Sequence, residues 1–286
     1  YGNHLLGARG SLPEHPDIPS YAHFLKTWRR EASLENIVVR KWMPFAKCTQ
    51  CSVFRELEAS HFKRDKKVRA EAYRTHKLHL EDMKLERLHY YSNRLRGELD
   101  PDVYLSLIID GADQSGHQLP HFCNRSHVTD EAVKQQLYAY GAIAHGRKAY
   151  TYLLPGHVRQ GHDVTIEVIW RVLNDILDTD GKLPKVLLLQ LDNTTKQNKG
   201  RYLFAFLALL VHHSMFDKVI ISFLAVGHTH EDIDQMFSRF ATWLRTHNAP
   251  SRETMAACMR DAFTYKGQGP HVEVMETVAA MSAFLE

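Results

Sequence analysis

The sequence predicts an α/β fold. From Val103 onward, short apolar runs alternate with stretches of helical periodicity, and three acidic residues stand where predicted strands end or hand over to a helix. Those acids are Asp110 in SLIIDGADQ, Asp192 in LLLQLDNTT and Asp234 in FLAVGHTHEDIDQMFSRF.

The elements follow in order. VYLSLIID (103–110), QLYAYGAIA (136–144) and KAYTYLL (148–154) read as strands, the last two joined by a short turn. An amphipathic helix is expected from about Val164 to Leu177, because Ile166, Ile169, Val172, Leu173, Ile176 and Leu177 recur at helical spacing, with Asp163 as its cap. KVLLLQLD is apolar enough for a central parallel strand. A helix from about Lys196 to His213 follows, then the strand KVIISFLAV, the turn GHTH, and a helix from about Glu231 to Thr246.

Residues 1–100 differ in character. Pro13, Pro16 and Pro19 make the start irregular, a short helix is expected around Tyr21 to Glu31, and a long charged helical stretch runs to about Arg96, punctuated by Gly97 and Pro101. Three regions are therefore expected: a mainly helical 1–100, an α/β domain over 101–250 and a helical extension over 251–286. Because the first residue is Tyr, the chain is expected to be a segment of a longer protein.

Composition narrows the classes. With 36 Lys plus Arg against 33 Asp plus Glu, overall charge says little, but Lys, Arg and His are dense between Phe62 and Arg96. That stretch reads as a basic surface or as a solvated helix face laced with ion pairs. HLEDMKLERLHYYSNRLR could follow a phosphate backbone with Tyr90 or Tyr91 stacking, whereas Leu80, Met83, Leu88 and Tyr91 approximate a stripe that docks the helix on the core. The apolar run LFAFLALLV falls well short of the roughly 20 residues that a membrane span needs, so no membrane partner is expected. Four cysteines with one close pair do not resemble a disulfide framework and favour a reducing compartment. Cys123 and Cys258 stand alone, but Cys48 and Cys51 form a CxxC knuckle, followed after 24 residues by His76 and His79 at one-turn spacing. Tetrahedral Zn²⁺ accepts such a set. The bland reading is two ordinary thiols and solvent histidines.

Carboxylates at adjoining strand ends converge and supply the hard oxygens that Mg²⁺ or Mn²⁺ requires. The order of three strands, helix, strand, helix, strand, helix is similar to the ribonuclease H-like fold, a mixed sheet flanked by helices. The acids fall where DDE/DDD transposases and related nucleases carry theirs. DGADQSGHQLPHF, LDNTTKQNKGRY and VGHTHEDIDQMFSR further resemble an uncharacterised transposon-derived family with an acid in the first strand, an Asp-Asn pair, and a Gly-His followed six residues later by Asp. Gly227, His228 and Asp234 match that pattern, and the resemblance spans roughly residues 20 to 250, including FAKCTQC.

The resemblance implies a transposase-like or integrase-like core that cleaves DNA and transfers strands with two divalent ions. Asp110 would bridge them, with Asp192 and Asp234 each holding one. Glu231 competes with Asp234 for the third position, Asp232 lies at the same helix start, and Asp113 rivals Asp110. His228 could orient water or contact phosphate, and otherwise is a turn histidine. Asn193, Lys196, Lys199 and Arg201 could meet substrate or phosphate. DNA is the expected partner, with a homo-oligomer on DNA and, in a eukaryotic source, a nuclear location. The alternative from another class is a domesticated, catalytically inactive nucleic-acid-binding module. A third reading is a zinc hydrolase using HTHED through His228 and His230, with Asp232 as its acid and His247 and His271 as downstream histidines.

Overall fold

The computed structural model describes residues 48–60, 65–113, 117–124, 133–192, 198–223 and 232–285. Among the described residues two helices come first, α1 (Thr49–Ser60) and α2 (Lys66–Leu99). Strands β1 (Tyr104–Gly111), β2 (Leu137–Ala144) and β3 (Lys148–Pro155) form an antiparallel meander. Then α3 (His162–Asp180), β4 (Val186–Leu191), α4 (Arg201–His212) and β5 (Lys218–Phe223) alternate, and α5 (Asp232–Leu244) follows. β4 lies parallel to β1 and β5 parallel to β4, giving the order β5-β4-β1-β2-β3 expected of a ribonuclease H-like sheet.

The region after residue 250 is not wholly helical. It supplies α6 (Arg252–Ala262) and the short α7 (Met281–Phe284), and between them β6 (His271–Val274), which pairs parallel with β3 and extends the sheet to six strands. Its four residues, HVEV, are too few to announce a strand by alternation.

Alternation along the strands creates two cores. Leu105, Leu107 and Ile109 of β1 join Leu187, Leu189 and Leu191 of β4 beneath α3 and α4. On the opposite face Ile108, Ala139, Ile143 and Leu153 meet Ile233, Met236 and Phe240 of α5, Met255 and Met259 of α6, and Tyr90 of α2. Asp110 and Asp192, even-numbered on their strands, share the parity of this second face.

Local causes set the helix ends. Asp65 caps α2 by accepting from the N–H groups of Lys67 and Val68, at 2.8 and 3.3 Å. Asp163 does not cap α3, which starts one residue earlier; its carboxylate accepts from the backbone N–H and hydroxyl of Ser282, at 2.8 and 2.9 Å. Gly97 does not terminate α2. It lies inside the helix, and a Cβ there would come within 2.8 Å of Ser106 Cβ, so the glycine lets α2 press against β1.

The docking face of α2 also differs from the expected stripe. His79, Tyr90, Asn93 and Gly97 are its buried residues, whereas Leu80, Leu88 and Tyr91 are exposed. Tyr90 is therefore not available for base stacking: its hydroxyl donates to Asp232 Oδ1 at 2.5 Å.

Asp232 lies at the centre of a network that fixes the start of α5. Its other oxygen meets His145 Nε2 at 2.9 Å and Arg94 at 3.3 Å, and His145 Nδ1 pairs with the Ser106 hydroxyl at 2.9 Å. Burial pushes the Asp232 carboxyl up, but His145, Tyr90 and Arg94 together outweigh it and hold the group below its ordinary range. Its stabilising contribution is present above the unfolded value and lost as pH falls through the folded one. Asp232→Asn is expected to lower unfolding free energy at pH 7 by about 1–3 kcal/mol and to flatten the loss of stability below about pH 4. Urea unfolding at pH 7 and pH 3 checks both.

Candidate functional site

The site is built from the C-terminal ends of two neighbouring strands. Ile109 stands opposite Leu191 in the parallel register, so Asp110 and Asp192 emerge side by side as the chains leave the sheet. Both line a small polar cavity of about 120 Å³, together with Gly111, Ala112, Tyr138, Ala139, Tyr140 and Gln160. That volume accommodates an ion with a few of its waters.

α5 carries the third candidate acid, Asp234. Asp110 faces Gly141 across the antiparallel ladder, and a Cβ on Gly141 would come within 2.4 Å of Met236 Cε and 2.8 Å of the Phe237 ring. The bare glycine surface lets α5 lie close over β2 and carry Asp234 toward the strand ends. Asp234 and Asp232 then have separate tasks, because residues two apart on a helix point in different directions. Asp232 is engaged by His145, Tyr90 and Arg94, while the charge of Asp234 reaches Asp110.

Like charge acts on Asp110 from both other candidate acids. Burial pushes the Asp110 carboxyl up to about 7, with Asp192 and then Asp234 reinforcing the shift; the Gly111 N–H, 2.7 Å from Oδ1, opposes it. Crowding of like charges is relieved by a hard divalent cation, and carboxylate oxygens suit Mg²⁺ or Mn²⁺. Burial and the Asp110 charge also raise the Tyr140 phenol to about 12, so it stays protonated and donates to Gln160 Oε1 at 2.7 Å.

Three residues were not singled out from the sequence. Tyr140 and Gln160 form one wall of the cavity, and Asn198 fixes the Asp192 end. Its side-chain amide donates to the Asp192 carbonyl at 3.1 Å and its oxygen accepts from Thr165 of α3 at 3.1 Å. The signal for Asn198 was its place six residues past Asp192, but no spacing rule marks it. Asp113 is exposed in the loop beyond β1 and is absent from the cavity wall.

The remaining candidates are placed as follows. Asn193, Lys196, Gly227, His228, His230 and Glu231 lie outside the described residues. Lys199 is over the ring of Phe223 at 4.7 Å, and Arg201, at the start of α4, stacks on Tyr202 at 4.7 Å. The zinc-hydrolase reading loses its acid, because Asp232 faces the interior network. Its downstream histidines are also engaged elsewhere: His247 stacks on Trp243, and His271 lies against Tyr150 and Tyr152.

A second cluster lies where α1 meets α2. Cys48 and Cys51 bracket the first turn of α1, and the ligand atoms of Cys48, Cys51 and His79 all fall within 4.8 Å of one another. Cys48 Sγ and His79 Nε2 are 3.1 Å apart. His76 is not part of the group: its ring stacks on Phe54, with centroids 4.0 Å apart and planes 7° from parallel.

Residues 127–286 match the family described as a domain of unknown function, DUF7869. The chain belongs to this family. No curated protein matches the sequence. Among solved structures, this DUF7869 chain is similar to the Mos1 transposase paired-end complex with left transposon end, at 12% identity over 93% of this chain and 85% of that one, with a TM-score of 0.38. It is also similar to a pre-cleavage Mos1 transpososome, at 9% identity over 92% of each chain, with a TM-score of 0.25. No helix among the described residues is long and apolar enough to cross a membrane.

The raised Asp110 carboxyl has a measurable consequence. The folded chain holds that proton up to about pH 7, whereas the unfolded chain releases it near the ordinary carboxylate value of about 4. Stability from this group is thus full below about pH 4 and lost as pH rises through about 7. In the absence of divalent ions, thermal midpoints of wild type are expected to fall relative to Asp110→Asn between pH 5 and pH 8. Saturating Mn²⁺ should raise the wild-type midpoint more at pH 8 than at pH 5; parallel pH curves for the two proteins would contradict the assignment.

Proposed function

We propose that this chain carries a transposase-like nuclease centre that cleaves DNA phosphodiester bonds with Mg²⁺ or Mn²⁺ and supports strand transfer. The observation that supports the reading is Asp110 and Asp192 side by side at the ends of neighbouring strands of the sheet, with the charges of Asp192 and Asp234 both acting on Asp110. Divalent ions held by these three would polarise the phosphoryl group and template an in-line displacement.

The chain's own contributions follow from position. Asp110 on β1 and Asp192 directly after β4 are set side by side by the register of the two strands. Asn198 positions Asp192 through its carbonyl, and the Tyr140–Gln160 pair limits water on one side of the cavity. Lys199 and Arg201 provide positive charge at the start of α4, suited to backbone phosphates beside the acids. Glu231 and His228 remain candidates for the same end of the site, as third acid and water-orienting group.

Cys48, Cys51 and His79 are assigned to structural Zn²⁺, a thiolate-imidazole set that would clip α1 onto α2. Zinc content measured after gel filtration is expected to fall to background in His79→Ala and to persist in His76→Ala. Equal loss in both would restore the sequence-based ligand set.

Cleavage of end-labelled duplex DNA with Mg²⁺ or Mn²⁺ tests the main reading. Because outer-sphere changes alone typically cost 10–100-fold, Asp110→Asn, Asp192→Asn and Asp234→Asn are each expected to reduce the rate by at least about 100-fold. Asp113→Asn should stay near wild type. Cleavage indifferent to Asp110→Asn and Asp192→Asn would reject the centre, and DNA binding without any cleavage would favour a catalytically silent module.

A further inference from the structure

α2 carries a second apolar face that none of the described elements covers. Leu78, Leu85, Leu88, Leu95 and Leu99 are each 52–75% exposed. At 100° per residue they form one stripe centred about 150° from the docking face of His79, Tyr90, Asn93 and Gly97, so the stripe points away from the sheet. α1 does not cover it either: its contacts fall on Tyr73, His76 and His79. Scattered exposed leucines are ordinary, but five in one row along about 33 Å of rigid helix are not.

Their spacing is heptad. With Leu78, Leu85, Ser92 and Leu99 at a positions, the d positions are Glu81, Leu88 and Leu95. This pattern discriminates between ways of pairing. In a parallel pair, Glu81 would oppose its own copy inside the seam. In an antiparallel pair, a positions meet d positions, and the layers become Leu78 with Leu95, Leu85 with Leu88, and Ser92 with Glu81 of the other chain. The four seam leucines from 78 to 95 then meet leucines, and the two polar residues meet each other. The flanks bring together Asp82 with His89, Thr75 with Arg96, Lys84 with Tyr91 and Lys77 with Glu98, none of them like-charged acids or bases.

We propose that the outer face of α2 is the interface of an antiparallel homodimer, in which two copies of this chain pair through the Leu78–Leu95 seam about a two-fold axis near residues 86 and 87. The contact is isologous and closes on itself, and the two sheets lie on opposite outer sides of the helix pair. α2 is already held straight by its dock on β1 and by α1, so pairing does not have to order the helix.

Sedimentation velocity of the whole chain across the micromolar range is expected to show a concentration-dependent dimer. Leu85→Glu/Leu88→Glu should be monomeric throughout, with unchanged helix content because both side chains are solvent-exposed in the monomer. Direction is read by oxidative crosslinking against a wild-type background: Leu78→Cys mixed with Leu95→Cys is expected to give a new disulfide-linked dimer, while neither variant alone does. The proposal is overturned by a wild-type monomer at every concentration, by a dimer that survives the double Glu variant, or by Leu78→Cys crosslinking to itself.

Discussion

The parallel register that sets Asp110 beside Asp192 is the constraint on which the candidate site depends. Asp110, Asp192 and Asp234 come from a strand meander, a crossover strand and a helix, and none would adopt this placement on local preference alone. Two devices hold them there. β1 and β4 are hydrogen-bonded neighbours in fixed register, which sets the first two acids. The third depends on α5 lying close over β2, allowed by the bare surface of Gly141 and tied by Asp232 to His145, Tyr90 and Arg94. A cost in charge repulsion at one end of α5 is thus met by a satisfied, buried network one half-turn away.

The division of labour between Asp232 and Asp234 also links the two helical layers. Tyr90 and Arg94 belong to α2, so the long helix braces the helix that carries the third acid. Gly97 and Ser106 bring α2 close enough for that reach. The same helix presents leucines to solvent on its far side, which connects the position of the acids to the face proposed for pairing.

Much of this was legible in the sequence, for identifiable reasons. The strands were readable because apolar runs such as VLLLQL are long relative to the turns between them, and Asp110 and Asp192 were readable because they end such runs. The end of α2 near residue 100 was readable from Pro101, whereas Gly97, read as punctuation too, lies inside the helix. The structural task of Asp232 was not readable, since it shares the first turn of α5 with Asp234 and only its tertiary partners reveal it. His76 and His79 share one side of α2, and packing of Phe54, not spacing, decides which ring approaches the cysteines. The docking face of α2 was misread because its close approach to β1 is made at Gly97 and its other buried residues include His79 and Asn93, while the leucines that mimic a core stripe face outward. β6 was missed because a four-residue edge strand carries no periodicity.

The central claim is that Asp110 shares its pocket with Asp192, under the added charge of Asp234, and would yield its proton to a divalent cation. Calorimetric titration with Mn²⁺ at pH 7, repeated in buffers of different ionisation enthalpy, measures that exchange directly. With the carboxyl near 7, binding should release roughly half a proton per chain. Asp110→Asn should abolish that release. Binding with no proton released, or release undiminished in Asp110→Asn, would contradict the account.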